Sequence, residues 1–440
     1  HTYLHAQREK LGGYLPVRKP SMTTLKIPEL SAFDAMLKDT GEREMSSTMA
    51  FVRMLNVLVK DKELGKHIVP IVPDESRTFG MEGMFRQLGI WSHVGQKYTP
   101  EDASQLMYYK EAVNGRIFQE GINEPGAMST WIAAATSYAN HGVPMIPFYI
   151  YYSMFGFQRT GDLAWAAGDM RARGFIIGGT AGRTTLNGEG LQHEDGHSQV
   201  QADLIPNCES YDPTFAYELA VILQHGMHEM YVEHKDKYYY ITVMNENYTH
   251  PAMPVGIEQD IINGCYLFKS VGNGNVSVNL IGSGSILREV IGAADLLSQD
   301  FGLKVNVFSA TSFNKLHREG MAINRHNMLN PLAPQAKTFI AQKLEQTDAL
   351  VTVAATDYIR NFADKIREFV PGKYITLGTD GFGRSDYRQA LREFFEVNRY
   401  YVAVAALKGL ADQGLIEANV VADAIIKYGI NTNKANPWEV

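Results

Sequence analysis

Apolar residues in this chain gather in short runs that end in polar, glycine-bearing turns, and between the runs they recur at helical spacing. The run His67-Ile-Val-Pro-Ile-Val-Pro73 predicts a short buried strand that delivers Asp74-Glu75-Ser76-Arg77 into a turn. Ahead of it, Met49, Val52, Leu55 and Leu58 recur behind Ser46, Ser47 and Thr48, which predicts a capped helix. Arg116–Glu120 predicts the next strand. It leads through Gly121-Ile122-Asn123-Glu124-Pro125-Gly126 into an alanine-rich helix from Ala127 to Ala139, with Pro125 at the first helical position. Val143–Tyr151 and Gly174–Gly179 predict strands around a helical piece at Leu163–Met170. Ile205–Cys208 predicts a weak strand, Asp212-Pro213 caps a helix to Met230, and Tyr238–Met244 predicts another strand.

The composition shifts around Met253–Gly264, and the same alternation then resumes. Val276–Ile281, Val305–Ala310, Ala349–Ala354 and Tyr374–Leu377 predict strands; Ile286–Leu297, Ile359–Val370, Gln389–Phe395 and a segment beyond Leu415 predict helices. Strand, loop and helix in repeating order imply an α/β fold with mostly parallel sheets. Such sheets bind ligands beyond the carboxyl ends of their strands. Three acidic loops leave strands in that sense, at Asp74/Glu75, at Glu124 and at Glu189/His193, and they are expected to converge.

With 440 residues the chain holds two or three domains at roughly 100–200 residues each. A net charge of -7 provides no general attraction to nucleic acid or to an anionic membrane. The longest apolar stretch, Met145–Phe157, is too short for a membrane span and carries a proline. The two cysteines, Cys208 and Cys265, support no disulfide framework and read as buried small side chains in a reducing, cytoplasmic setting. The first residue is His1, and no signal-peptide pattern follows it, so the chain is expected to be a trimmed or processed piece of something longer.

The chemistry-bearing residues concentrate in Gly178–Ser198. There His193-Glu194-Asp195-Gly196-His197 matches the H-E-x-x-H pattern of zinc proteases. That pattern needs a sustained helix to put both imidazoles on one face, and Gly188, Gly190 and Gly196 interrupt it, so the zinc reading is set aside. Gly282-Ser-Gly-Ser285 after a strand has the look of an anion cradle, but a dinucleotide fingerprint would need glycine where Leu287 stands; a tight strand-to-helix turn is the preferred reading. Glu124 is open to two readings. It is either a carboxylate stabilised by a helix N-terminus or a glutamate buried among Ile122, Trp131 and the aromatic strand, ready to share a proton with a bound heterocycle. Tyr149, Tyr151, Tyr152 and Phe155 are either core or a surface on which a flat ring stacks.

Long strings, Asp74–Gly83, Gln119–Glu124, Ile146–Arg159, Gly182–His197 and Gly378–Asp386, resemble the homodimeric bacterial pyruvate dehydrogenases, the thiamine-diphosphate-dependent first component of the pyruvate dehydrogenase complex. The resemblance covers nearly the whole chain. It implies two parallel-sheet domains of transketolase type: an arm at residues 1–29, a pyrimidine-binding domain at 30–254 and a C-terminal domain without direct chemical role at 255–440. It implies that Glu124 hydrogen-bonds the aminopyrimidine nitrogen of thiamine diphosphate and favours the imino tautomer that generates the ylid. It also implies that Phe155 stacks on the pyrimidine, that Ile122 supports the bent cofactor, and that Asp74 and Glu75 lie near the thiazolium.

Tyr152, Glu189 and His193 match residues around the substrate, with His193 donating to a developing oxyanion or carboxylate, while His197 is left as structural. The implied activity is oxidative decarboxylation of pyruvate with reductive acetylation of the lipoyl group on the dihydrolipoyl acetyltransferase component, in a homodimer. One departure is large. The family holds the diphosphate and its Mg2+ through a Gly-Asp-Gly…Asn segment in an N-terminal domain, and this sequence has no Gly-Asp-Gly. The chain is therefore expected to be the C-terminal half of the enzyme, inactive alone, with the metal ligands elsewhere. A transketolase-like enzyme with another keto substrate, or a catalytically silent dimerisation module, are the alternatives.

Overall fold

The computed structural model describes residues 1–13, 23–74, 76–101 and 109–440. Its strands are β1 (Ile68–Val72), β2 (Ile90–Trp91), β3 (Glu111–Ala112), β4 (Phe118–Gln119), β5 (Ile146–Tyr152), β6 (Phe175–Gly179), β7 (Cys208–Tyr211), β8 (Tyr238–Thr242), β9 (Cys265–Val271), β10 (Ser277–Gly282), β11 (Lys304–Ala310), β12 (Val351–Ala355) and β13 (Lys373–Leu377). Six of them form one sheet in the order β4-β1-β5-β6-β8-β7. Five form a second in the order β13-β12-β10-β11-β9, and β2 pairs with β3. Pairing in the six-stranded sheet is parallel throughout. In the five-stranded sheet only β9 runs antiparallel to its neighbour. The fold is thus α/β, with two sheets of the expected kind.

Strands covered on both faces carry near-continuous apolar runs, and β5 and β6 at the middle of the first sheet do so. In β8 the alternation of strand side chains divides three consecutive tyrosines between two layers. Tyr238 and Tyr240 meet Trp131 and Phe157 edge-on on one face, while Tyr239 lies against Phe175 and Tyr211 on the other. The helix Ser47–Lys60 forms where its pattern placed it, with the Ser46 hydroxyl accepting from the Met49 N–H at 3.1 Å.

Several expectations need correction. The Ile205–Cys208 strand lies one turn later, at Cys208–Tyr211, because Arg318 takes the Ile205 and Cys208 carbonyls and ties the preceding turn to another helix. Asp212 does not cap the next helix. That helix runs Ala216–Tyr231, and its start is satisfied by Glu218, which accepts from the Thr214 and Phe215 N–H groups at 2.6 and 2.9 Å. The expected helix at 359–370 divides into Asn361–Asp364 and a 3-10 turn at Arg367–Phe369. Strand β9 had no expectation at all; as an edge strand it is half-exposed and weakly patterned. The arm begins with a helix, Thr2–Lys10, and the expected extended segment Leu15–Pro20 lies outside the described residues. Ser283, Gly284 and Ser285 are buried in a tight turn in which Thr214 donates to the Gly284 carbonyl at 2.7 Å, in agreement with a structural role. Both cysteines are free and buried. No helix among the described residues is long and apolar enough to cross a membrane.

The two sheets share one apolar core, which runs from Phe51 and Phe148 through Tyr217 and Tyr266 to Val353 and Leu407. At their junction Glu218 is fully buried and also accepts from the hydroxyls of Tyr266 and Ser309, each at 2.6 Å. Burial raises its pKa, and four donors offset the cost of keeping a carboxyl there.

Candidate active site

The strand order places β4, β1, β5 and β6 side by side, so the loops at their carboxyl ends open on one edge of the sheet. From β4 the chain turns at Gly121 and enters the helix Glu124–Ala135, whose cap is Asn123, accepting from the Gly126 N–H at 3.1 Å. Glu124 is therefore itself the first helical residue, and the helix ends at Ala135, short of the expected Ala139. Glu124 is buried, at 6% exposure, and the Tyr149 hydroxyl donates to its backbone carbonyl at 3.2 Å. Trp131, on the same helix, is fully buried. Ile122 is not part of that burial: it stands 73% exposed on the loop, contrary to one reading of the sequence.

From β5 comes the aromatic edge. Phe155 precedes the helix Gly156–Asp169, whose first turn returns Arg159 to the site. Arg159 Nη1 donates to Glu124 Oε1 at 2.6 Å, and its guanidinium carbon lies 4.1 Å from the centre of the Phe155 ring. Gly156 permits this approach, since a Cβ there would overlap the Tyr151 ring at 1.9 Å. The ring centres of Tyr152 and Phe155 stand 5.2 and 5.0 Å from that of His193, and Phe79 backs Tyr152 at 5.8 Å. His193 Nδ1 is buried and finds no hydrogen-bond partner among the described residues; Glu189 Oε2 is 4.0 Å away. Asp74 is held at the end of β1 by the Gln119 amide at 3.3 Å. Glu75 lies outside the described residues.

The convergence of the loops therefore extends to Glu124, Phe155, Tyr152, His193 and Glu189, with Asp74 beside β4. Arg159 was present in the sequence strings but had no role; what points to it is a charged side chain one helical turn beyond an aromatic residue, and only the fold pairs it with Glu124.

The Gly178–Ser198 loop also carries structural acids. His193 ends a single 3-10 turn, Leu191–His193, so the two histidines do not share a helix face. His197 Nε2 instead meets the Gln158 amide at 2.6 Å, and burial holds its pKa below the ordinary value. Asp195 accepts from the backbone N–H groups of His197 and Ser198, each at 2.9 Å, as well as from the Ser198 hydroxyl. Asp357 accepts from the Thr184 N–H and hydroxyl at 2.9 and 2.7 Å and from the Thr185 hydroxyl. Glu194, the residue that the zinc pattern would make a base, is buried, and desolvation pushes its pKa up to about 8. Among the described residues no three metal-binding side chains come together.

This arrangement suits a flat heterocycle with a protonatable nitrogen. Phe155 offers a face, Glu124 offers a buried acceptor at the ring edge, and the guanidinium of Arg159, itself planar and cationic, already bridges the two. His193 and Tyr152 line the same edge, so a group carried by that ring would meet a nitrogen donor and a phenol.

Comparison with known proteins shows the family. The family model for the pyruvate dehydrogenase E1 component middle domain matches residues 25–251, and that for the transketolase-like C-terminal domain matches residues 264–398. The pyruvate dehydrogenase E1 component of Cupriavidus necator is 62% identical over 441 residues, covering 100% of this chain and 49% of that protein. The same component of Escherichia coli K12 is 56% identical over 440 residues, covering 99% and 49%. The chain thus spans about half the length of the curated relatives it matches. Among solved structures, a transketolase from Campylobacter jejuni aligns with a TM-score of 0.62 at 16% identity, over 86% of this chain and 49% of that one. A structure described as a split-gene transketolase, inactive beta4 tetramer, aligns with a TM-score of 0.52 at 16% identity, over 84% of this chain and 99% of that one. The middle-domain match covers more than half of the 440 residues, and the chain belongs to the pyruvate dehydrogenase E1 component family, corresponding to its C-terminal half and built on a transketolase-type fold.

Proposed function

We propose that this chain supplies the pyrimidine-binding half of a thiamine diphosphate site in a pyruvate dehydrogenase, with residues 30–254 as the cofactor domain and 255–440 as the C-terminal domain. The observation that carries the reading is the buried Glu124 carboxylate at a helix start, beside the face of Phe155, with a planar cation lying across both. Thiamine diphosphate, when bound, supplies an acidic ring carbon and an electron sink for decarboxylation.

Glu124 would hold or release a proton at the edge of the pyrimidine, and burial keeps water from competing for that proton. Phe155 would fix the plane of the ring, and Ile122, exposed on the loop ahead of Glu124, would support it. His193 would donate from a ring nitrogen to the carboxylate or oxyanion of pyruvate, with Glu189 and Tyr152 setting its orientation and Asp74 and Glu75 adding negative charge near the cationic ring. Among the described residues no three metal-binding side chains come together to hold Mg2+. Its ligands, and the groups that hold the diphosphate, belong in this reading to the half of the relatives that the chain does not match. The finished enzyme would act as a homodimer and hand its acetyl group to the lipoyl-bearing acetyltransferase component.

The test is calorimetric titration of thiamine diphosphate, with Mg2+, into the chain combined with the complementary half of a relative. Binding that Glu124→Ala weakens by about 100-fold or more supports the reading. Equal binding by both forms would sink it. Pyruvate turnover without turnover of ketose phosphates separates it from a transketolase. The split-gene relative described as inactive favours one further expectation: the 440-residue chain alone turns over no pyruvate.

A further inference from the structure

The loop that carries Glu189 and His193 leaves the first sheet at the end of β6, yet much of its support comes from the second. The Ser385 hydroxyl donates to the Glu189 carbonyl, the Arg384 N–H donates to Glu194 Oε2 at 2.7 Å, and the Arg388 Nε donates to the Thr185 carbonyl at 2.7 Å. In return Arg183 sends its guanidinium to the Thr379 carbonyl at 2.6 Å and to that of Gly381. All of these partners lie in one segment, Thr379–Arg388, which follows the carboxyl end of β13. At Gly383 the two loops touch backbone to backbone. A Cβ there would stand 2.4 Å from the Leu191 carbonyl oxygen and 3.0 Å from the Glu194 Cβ.

Glu194 is the pivot of this contact. It follows His193 directly, is fully buried, and spends one carboxyl oxygen on the Arg384 N–H, while Oε1 has no hydrogen-bond partner among the described residues. Burying such a group is costly, and a loop of this kind could have turned it to solvent. Its position makes sense as a tether: the link to Arg384 fixes the backbone on one side of His193, and the Ser385 link to the Glu189 carbonyl fixes it on the other.

We propose that Thr379–Arg388 is a positioning brace for the candidate active site, acting through Glu194 and the Glu189 carbonyl to set His193 against Tyr152 and Phe155. The second domain then takes part in the reaction through geometry, without touching substrate. The proposal rests on the reading of His193 as a site residue.

The test uses the 440-residue chain with carbon-13-labelled histidine, the His193 ring resonance being assigned by its loss in His193→Gln. Glu194→Leu removes the acceptor for Arg384, Glu194→Gln keeps one, and Gly383→Ala pushes the two loops apart. The brace predicts that Glu194→Leu and Gly383→Ala move the His193 resonance and that Glu194→Gln stays close to wild type. The ring of His250, held by the Met45 carbonyl and stacked on Tyr248, should stay unmoved in all of them. In the assembled enzyme Glu194→Leu should lower kcat by roughly 10–100-fold with KM within about twofold, the signature of a displaced group. A His193 resonance unmoved by Gly383→Ala overturns the brace, as does a Glu194→Gln signal that coincides with Glu194→Leu. Should either of the larger changes unfold the chain, visible as loss of the native His250 signal, Ser385→Ala removes a single hydroxyl and is read by the same two outcomes. An enzyme whose activity is untouched by His193→Gln would refute the functional reading of the site, and the resonances would still decide the brace.

Discussion

Arg159 occupies the two surfaces that a cationic heterocycle would use, the carboxylate of Glu124 and the face of Phe155. Its side chain is 45% exposed, so the ion pair is screened on one side and its net contribution is about 1 kcal/mol. Arg159→Met should therefore bind thiamine diphosphate about fivefold more tightly in the assembled site, measured by calorimetry. Weaker binding would show that the guanidinium stays and assists. A second residue-level prediction concerns Asp212, fully buried, which accepts from the Thr242 hydroxyl at 2.7 Å and whose pKa burial pushes up to about 7. An unfolded aspartic acid loses its proton near pH 4, so between pH 4 and 7 the folded chain holds a proton that the unfolded chain has released. Stability from this group is present at low pH and is lost as pH rises toward 7. Unfolding free energies from urea titrations at pH 5 and pH 8 should show a drop that is smaller in Asp212→Asn, by about 2–3 kcal/mol. An unchanged drop would remove Asp212 from the account.

Two helix starts set the site. Asn123 caps the helix that begins at Glu124, and its loss in Asn123→Ala should cost about 1 kcal/mol. Because the cap orients the first turn, the same change should also weaken cofactor binding; a stability loss with unaltered binding would separate the two. The helix Gly156–Asp169 begins where the backbone presses on Tyr151. Gly156→Ala must move that fully buried ring or tilt the helix, so it should destabilise by roughly 1–3 kcal/mol and displace Arg159 from Phe155, as thermal melts would show. These starts were partly legible in the residues themselves. Pro125 and the acidic turn marked the first, and the aromatic run marked the strand ahead of the second. Which side chain faced which could not be read there, because Glu124 and Arg159 sit on different elements.

Across the molecule the two sheets share a core that Glu218 stitches with four hydrogen bonds. Glu218→Leu would leave the Ser309 hydroxyl and the Thr214 and Phe215 N–H groups without an acceptor, at about 1–3 kcal/mol each, and would leave the Tyr266 hydroxyl only its contact with that of Tyr217. The chain should then unfold at far lower urea, and a probe in each domain should report separate transitions where the parent shows one. Coincident transitions in the variant would mean that apolar packing alone joins the domains.

The residues by themselves determined the alternation of strand, loop and helix, the class of fold and which loops leave strand ends, since each of these depends on patterns within a few positions. They also carried the strings that mark the family. Only the tertiary structure decided the order β4-β1-β5-β6 that sets those loops side by side, the pairing of Glu124 with Arg159, and the hold of Arg384 on Glu194 across 190 residues of chain. Asp212 shows the limit most plainly: beside a proline ahead of a helix it reads as a cap, and burial against the second domain makes it a core acid with a raised pKa. Local pattern encodes local backbone, whereas desolvation and long-range hydrogen bonds exist only after distant segments pack.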